Sequence, residues 1–529
     1  MVQRLIKLLP PGWRNGWALG ILAAAVAMRV CLLLTDVSLS GDAMKRYYPL
    51  AMNLLAGHGF SINSAPPYTP HGFDQPGYPV FVAAIFWVLR NNLYAVVLAQ
   101  IVLELATLFL MVRIVRALKL PQPVEVLALA SGLLCPFLTL WSTRLMTEVL
   151  ATFAVTLACY TFVLAATERT RHAGAWVLCG LASGACMLIR PDLVIAVLLM
   201  AIVAAVTSGD ESSGYERPGY QKPDCGGWRR VSGRLATFAL TVTLVMTPWT
   251  LRNYNQFGLV RPLGTVVDFQ ENGYIAWLGT WVDDTTFQQP YWWNVLKPIG
   301  PERFPSRQIP DDRERRRAMD AIALARRAKS FDGLPSRQFM ALANEAKRRR
   351  PWQTEFMVPL RRTVMTWIRL PDYMPVQAFA VLPLHAPVWA ASVPPKEMQA
   401  GLLDVLHGVW KLLLICMLLG SLCSLFLARK GVAILFALIL GRSLLPFVSG
   451  IGTEPRYLLE ALPACFILMA LGLILVAAVL SYFQASVYTA YERQLQSARA
   501  RLENVPPEVS IEHGRPVTAP LSANAPESL

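Results

Sequence analysis

The chain has 529 residues, of which 54% are hydrophobic and 16% charged, with a mean hydropathy of +0.41, whereas soluble globular proteins carry roughly 25% charged residues. These values exclude an ordinary soluble enzyme, and the apolar content equally excludes a disordered chain. The net charge of +15 would suggest nucleic acid for a soluble protein. In an apolar chain Lys and Arg are first read as topology signals.

Apolar runs fall at about 17–35, 93–112, 124–142, 149–166, 173–189, 193–207, 235–250, 402–427, 431–447 and 457–481, most of them long enough to cross a bilayer core as a helix. The expected fold is an all-α polytopic membrane protein of about ten spans. A basic start, with Arg4, Lys7 and Arg14, precedes the first run without a convincing cleavage site, so that run reads as an anchor. Placing this end in the cytoplasm puts Arg113, Arg116, Lys119, Arg169, Arg171, Lys222, Arg229, Arg230, Arg234, Arg429 and Lys430 in short cytoplasmic connections, as the positive-inside rule requires. Nine cysteines include no CxxC pair, and all but Cys225 fall in apolar runs, which argues against a disulfide scaffold or a zinc-thiolate site.

The chain therefore divides into an N-terminal transmembrane module, 1–250, with a first outer loop at 36–92; an extracytoplasmic insert, 251–400; C-terminal transmembrane helices, 401–481; and a cytoplasmic tail, 482–529, expected to be partly disordered. Within the first loop, Tyr78 to Leu89 is apolar but too short to span, and suits a juxtamembrane or re-entrant helix. The insert is rich in Arg and Lys between Asp311 and Arg350. Such charge reads either as a solvated helical face or as a surface for anionic lipid or glycan.

This sidedness gathers Asp42, Glu148, Arg190 with Asp192, Arg252, and Glu454 with Arg456 on the outer face. Acids and arginines donated to one membrane surface suit proton transfer and the holding of an anionic headgroup. Each also has a plainer reading: Asp42 as a helix N-cap, Glu148 as a partner of Arg144, and the arginines as snorkelling residues. Arg29 and Glu104 fall inside spans, where ionisable groups are functional or paired. His58, His71 and Asp74 share the first loop, yet their spacing matches no metal motif and suits ordinary loop residues.

Asp42 followed by Tyr47 and Tyr48, then Ala56 to Phe60, Gln75 to Pro79, Thr147-Glu148, Gly180 to Asp192, Pro248 to Asn253 with Phe257-Gly258, Pro351 through Arg362 to Trp367, and Pro455-Arg456-Tyr457 with Pro463 resembles, in order, the GT-C membrane glycosyltransferases. The similarity is to the protein mannosyltransferase and lipid A aminoarabinose transferase group and spans roughly 15–480. It implies a GT-C-like helix bundle and inverting transfer of a sugar from a polyprenyl-phosphate donor to a lipid, glycan or protein acceptor at the outer face. By that resemblance the catalytic residue is the first-loop carboxylate, Asp42. Many members carry two adjacent acids there, whereas this chain has Gly41-Asp42-Ala43. Chemically, Asp42 would serve as general base with Glu148 beside it, and Arg252, Arg456 and Arg190 would hold the donor phosphate. Tyr47, Tyr48 and Tyr78 would line the acceptor or sugar pocket. The leaving phosphate requires no cofactor, and a divalent metal is compatible with the site. A transporter or lipid flippase is the main rival. It would show internal repeats and broken helices at the midplane, neither of which is evident in the sequence. A ligase or polymerase using lipid-linked oligosaccharide is a second. With no retention signal or disulfide-rich outer domain, the expected location is a bacterial inner membrane with the site on the periplasmic side.

Overall fold

Runs of apolar residues with few helix breakers dictate the architecture, because a buried backbone in lipid must satisfy its own hydrogen bonds. The computed structural model describes residues 16–35, 43–167, 173–207, 227–263, 273–284, 309, 311–373, 396–425, 431–448 and 454–503. Among these, every regular element is helical. We number them α1 (Gly16–Thr35), α2 (Tyr48–Leu55), α3 (Gly77–Leu89), α4 (Leu93–Ala117), α5 (Gln122–Leu133), α6 (Pro136–Ser142), α7 (Glu148–Thr167), α8 (Ala173–Ile189), α9 (Val194–Thr207), α10 (Gly227–Phe257), α11 (Gly273–Gly279), α12 (Asp312–Ala328), α13 (Leu334–Arg349), α14 (Val358–Ile368), α15 (Lys396–Leu425), α16 (Val432–Ser443), α17 (Leu445–Val448) and α18 (Leu462–Glu503).

Every expected apolar run coincides with a helix or a pair of helices. Five helical segments are long and apolar enough to cross a membrane by themselves, and α5 with α6 forms a sixth, bent by 50°. The remaining expected spans are shorter apolar helices, as is α3. Pro136 explains the bend: it cannot donate an amide hydrogen, so the helix breaks at Leu134–Cys135 and restarts with proline in its first turn. α10 runs to Phe257, past the expected end of its span, and so carries Arg252 and Asn253 on the helix itself.

The chain forms two compact units, 1–475 and 476–529. In the first, α7 packs between α4 and α8, and α8 against α10. Small residues permit the closest crossings. A Cβ on Gly472 would lie 2.1 Å from the Cα of Gly420, so α15 and α18 touch backbone to backbone. The insert has its own core, built from Tyr274 and Trp277 on α11, Trp281 just after it, Ile322 on α12 and Phe339 on α13. Arg362 on α14 is 1% exposed and ties this core to the bundle. It donates to the carbonyls of Gly279 at 3.1 Å, Val282 at 2.7 Å and Pro446 at 3.1 Å. Burial pushes its guanidinium down to about 10, yet helix-end carbonyls are the acceptors a buried cation needs. The second unit, so far as described, is the continuation of α18 to Glu503. Helix therefore extends over the start of the expected tail.

Candidate functional site

Helix ends far apart in sequence converge on one buried ionic cluster. Glu148 opens α7 and is 1% exposed. Its Oε1 lies 3.3 Å from Arg456 Nη1 and 3.7 Å from Arg190 Nη1. Arg190 leaves the C-terminus of α8, where Pro191 halts the helix. It donates from Nε and Nη2 to both oxygens of Asp192, at 3.1 and 2.9 Å, and stands 3.1 Å from Glu460 Oε1. Arg456 also pairs with Glu454 at 2.5 Å. The guanidinium of Arg190 lies 3.9 Å from the ring centroid of Tyr457, a cation–π geometry.

Two members of the cluster are absent from the sequence reading. Arg442, near the end of α16, donates to Asp192 Oδ2 at 3.1 Å, Glu460 Oε2 at 3.2 Å and the Tyr457 carbonyl at 2.7 Å. Glu460 is fully buried in the 3₁₀ turn Pro455–Ala461. Both sit within apolar runs, and the rule that intramembrane charges are paired or functional was the available signal. Three arginines thus meet four carboxylates, Glu148, Asp192, Glu454 and Glu460. Neutralisation of this kind is what makes burying so many charges tolerable.

Tyr47 and Tyr78 pack edge to face with ring centroids 5.0 Å apart. Tyr47 is near enough to Glu148 and Arg456 to feel their charges: burial pushes its hydroxyl well up, Arg46 lowers it, and Asp74 and Glu148 raise it again. The Tyr78 hydroxyl donates to Gln100 at 2.7 Å, so it is engaged inside the fold. Gly77 lets α3 seat on the end of α8, since a Cβ there would meet the Leu188 carbonyl at 2.7 Å. Tyr48 faces elsewhere, toward Phe86 and the Asn91 amide. Asp42 lies outside the described residues, immediately before the π-helical turn Ala43–Tyr47.

Arg252 occupies a different setting. It donates to Asn253 Oδ1 at 2.9 Å and to the Phe60 carbonyl at 3.4 Å, and is surrounded by the rings of Phe60, Trp249 and Phe257. Among the described residues it meets no carboxylate. Its neighbours Thr250 and Leu251 line a cavity of about 340 Å³ with Met187, Met246, Val260 and Leu263. Arg252 itself faces the rings rather than this cavity; a cation with spare donors suits an anionic headgroup, and an apolar cavity suits a lipid chain.

The first loop folds back through Asp74, which accepts from Arg46 and from His71 Nε2 at 2.8 Å. Burial works against its charge, but His71 and Arg46 prevail and hold the carboxyl below its ordinary range. His58 stacks on Tyr68 at 3.9 Å. Among the described residues no three His, Cys, Asp or Glu side chains converge as metal ligands, and an Asp74 already engaged by Arg46 and His71 is a poor fit for a divalent ion.

An all-helical bundle with several apolar helices and a buried ionic cluster at one set of helix ends defines an integral membrane protein. Residues 71–215 match the family model of dolichyl-phosphate-mannose-protein mannosyltransferases, which bears out the resemblance carried by the sequence motifs. Among solved structures, the chain is similar to ArnT from Cupriavidus metallidurans bound to undecaprenyl phosphate, at 15% identity and a TM-score of 0.37, covering 86% of this chain and 77% of that one. It is also similar to the archaeal oligosaccharyltransferase AglB from Archaeoglobus fulgidus in complex with an inhibitory peptide and a dolichol-phosphate. That likeness has 13% identity and a TM-score of 0.45, and covers 93% of this chain and 55% of that one. No curated protein sequence matches the chain.

Proposed function

We propose that this protein is a membrane glycosyltransferase that moves a sugar, with inversion, from a polyprenyl-phosphate donor to a lipid, glycan or protein acceptor at the outer face of the membrane. The observation that carries the reading is Arg252, a cation free of carboxylate partners among the described residues and ringed by Phe60, Trp249 and Phe257, on the same helix whose Thr247, Thr250 and Leu251 line an apolar cavity of about 340 Å³. The match of residues 71–215 to a polyprenyl-type mannosyltransferase model supports it. In this reading Arg252 takes the donor phosphate and the apolar cavity along the same helix takes the prenyl chain. Arg190 and Arg456, paired with Glu148 and its neighbours, reach the leaving phosphate by exchanging a carboxylate for it. Asp42 removes the proton of the incoming hydroxyl, Glu148 orients the acceptor, and Tyr47 borders the sugar pocket. The location proposed is a bacterial inner membrane with the site on the periplasmic side.

The test is incubation of the purified protein in nanodiscs with polyprenyl-phosphate sugars and an outer-membrane lipid fraction, scored for released polyprenyl phosphate. Release that requires Arg252 supports the reading. Movement of the donor between leaflets without cleavage would assign the protein to the flippases instead.

A further inference from the structure

Three buried, unpartnered polar atoms belong to side chains that line one small space. Glu104 Oε2, Glu148 Oε2 and Trp141 Nε1 have no hydrogen-bond partner among the described residues, and their side chains belong to residues only 4%, 1% and 7% exposed. All three residues line a single cavity of about 10 Å³, together with Thr107 and Thr152, the rest of its wall being apolar. The threonine hydroxyls are already donors, to the Leu103 carbonyl at 2.8 Å and the Glu148 carbonyl at 2.7 Å. A buried group left without a partner costs on the order of 1–3 kcal/mol, so three around one space call for an occupant.

The chemistry of the lining selects it. Two carboxylate oxygens need donors and one indole N–H needs an acceptor. A water molecule offers two O–H groups and a lone pair, and the space is close to the minimum of roughly 10–15 Å³ that holds one. A metal cation would satisfy the carboxylates but face the indole N–H. The other oxygen of each acid is already engaged. Glu104 Oε1 accepts from Arg29 at 2.6 Å and from Thr139 at 2.8 Å. Glu148 Oε1 faces Arg456 and Arg190.

We infer that one bound water bridges Glu104 Oε2 and Glu148 Oε2 and accepts from Trp141 Nε1. It joins two networks that otherwise look separate. Arg29 also donates to the Leu133 carbonyl at 3.1 Å, at the break between α5 and α6. The water therefore links that broken span, pinned by Arg29 and Glu104, to the arginine cluster at Glu148. This bridge follows from the lining alone and does not depend on the identity of the donor.

The test is a cryo-EM map of the full chain in nanodiscs at a resolution that shows other internal waters, combined with thermal unfolding of variants. The bridge requires density about 3 Å from all three atoms, lost in Trp141→Phe. It also requires that the melting shifts of Glu104→Gln and Glu148→Gln be non-additive in the native background and additive once Trp141 is Phe. An empty cavity in such a map would overturn the inference. So would coupling that is undiminished by Trp141→Phe, because that would be the direct field of one carboxylate on the other.

Discussion

Glu148 Oε1 and Arg456 Nη1 lie 3.3 Å apart in surroundings where the side chain of the acid is 2% and that of the arginine 13% exposed. One residue begins α7 and the other lies in the 3₁₀ turn Pro455–Ala461 that leads into α18. Breaking a buried pair by removing one partner leaves an uncompensated charge, at a cost of about 3–5 kcal/mol. Glu148→Ala and Arg456→Leu should each lower the thermal unfolding midpoint in detergent by many degrees, while the double variant should lose clearly less than the sum. Additive losses would mean that the pair does not act as a unit.

The assignment of Asp42 as general base is tested by Asp42→Asn. Removing a general base costs on the order of 10²–10⁴-fold in rate, so transfer should fall by that factor while the melting curve stays near that of the native protein. Retention of full activity would move the base elsewhere, with Glu148 the first alternative.

Arg252 should behave as a binding residue for the donor. Arg252→Ala should weaken retention of undecaprenyl phosphate by about tenfold or more, as loss of a charge-assisted contact predicts. Arg252→Lys should recover only part of it, because a point charge cannot reproduce the planar fork. Because Arg252 has no carboxylate partner among the described residues, the alanine variant should fold normally, unlike Arg190→Ala.

Acid should loosen the first outer loop through Asp74. Its carboxyl is held below its ordinary range by His71 and Arg46 in spite of burial. The stabilisation is therefore fully present above the unfolded value of about 3.9 and is lost as pH falls through the lower folded value. Hydrogen exchange over residues 58–75 should rise as pH drops below about 4, after correction for intrinsic rates. In Asp74→Asn the loop should exchange faster at neutral pH and lose most of that acid dependence.

The contact between Gly420 and Gly472 leaves no room for a side chain. Gly472→Leu should push α15 from α18 and cost a few kcal/mol, in the range of overpacked cores. Gly401, with open space around it, should accept alanine with little change in the melting point.

The apolar runs fixed which segments become helices, since each run coincides with a helix or helix pair, and lipid leaves the backbone no other choice. Period and length could not reveal how far α10 extends, because Arg252 and Asn253 look like loop residues until the helix is seen to run on to Phe257. The ordered motifs also put Glu148, Arg190 and Arg456 on one face, which the structure realises as direct contact. Asp192 and Glu454 were flagged with them.

By itself, then, the sequence determined a helical membrane protein and most members of a charged cluster, because hydropathy and charge are local properties of the chain. Only the tertiary structure decided which charges are neutralised. It enrolled Arg442 and Glu460 from within apolar runs, committed Arg190 and Arg456 to carboxylates, engaged the Tyr78 hydroxyl on Gln100, and left Arg252 among aromatic rings. Pairing is set by which helix ends meet in space, and that depends on packing across hundreds of residues rather than on the neighbours of any one.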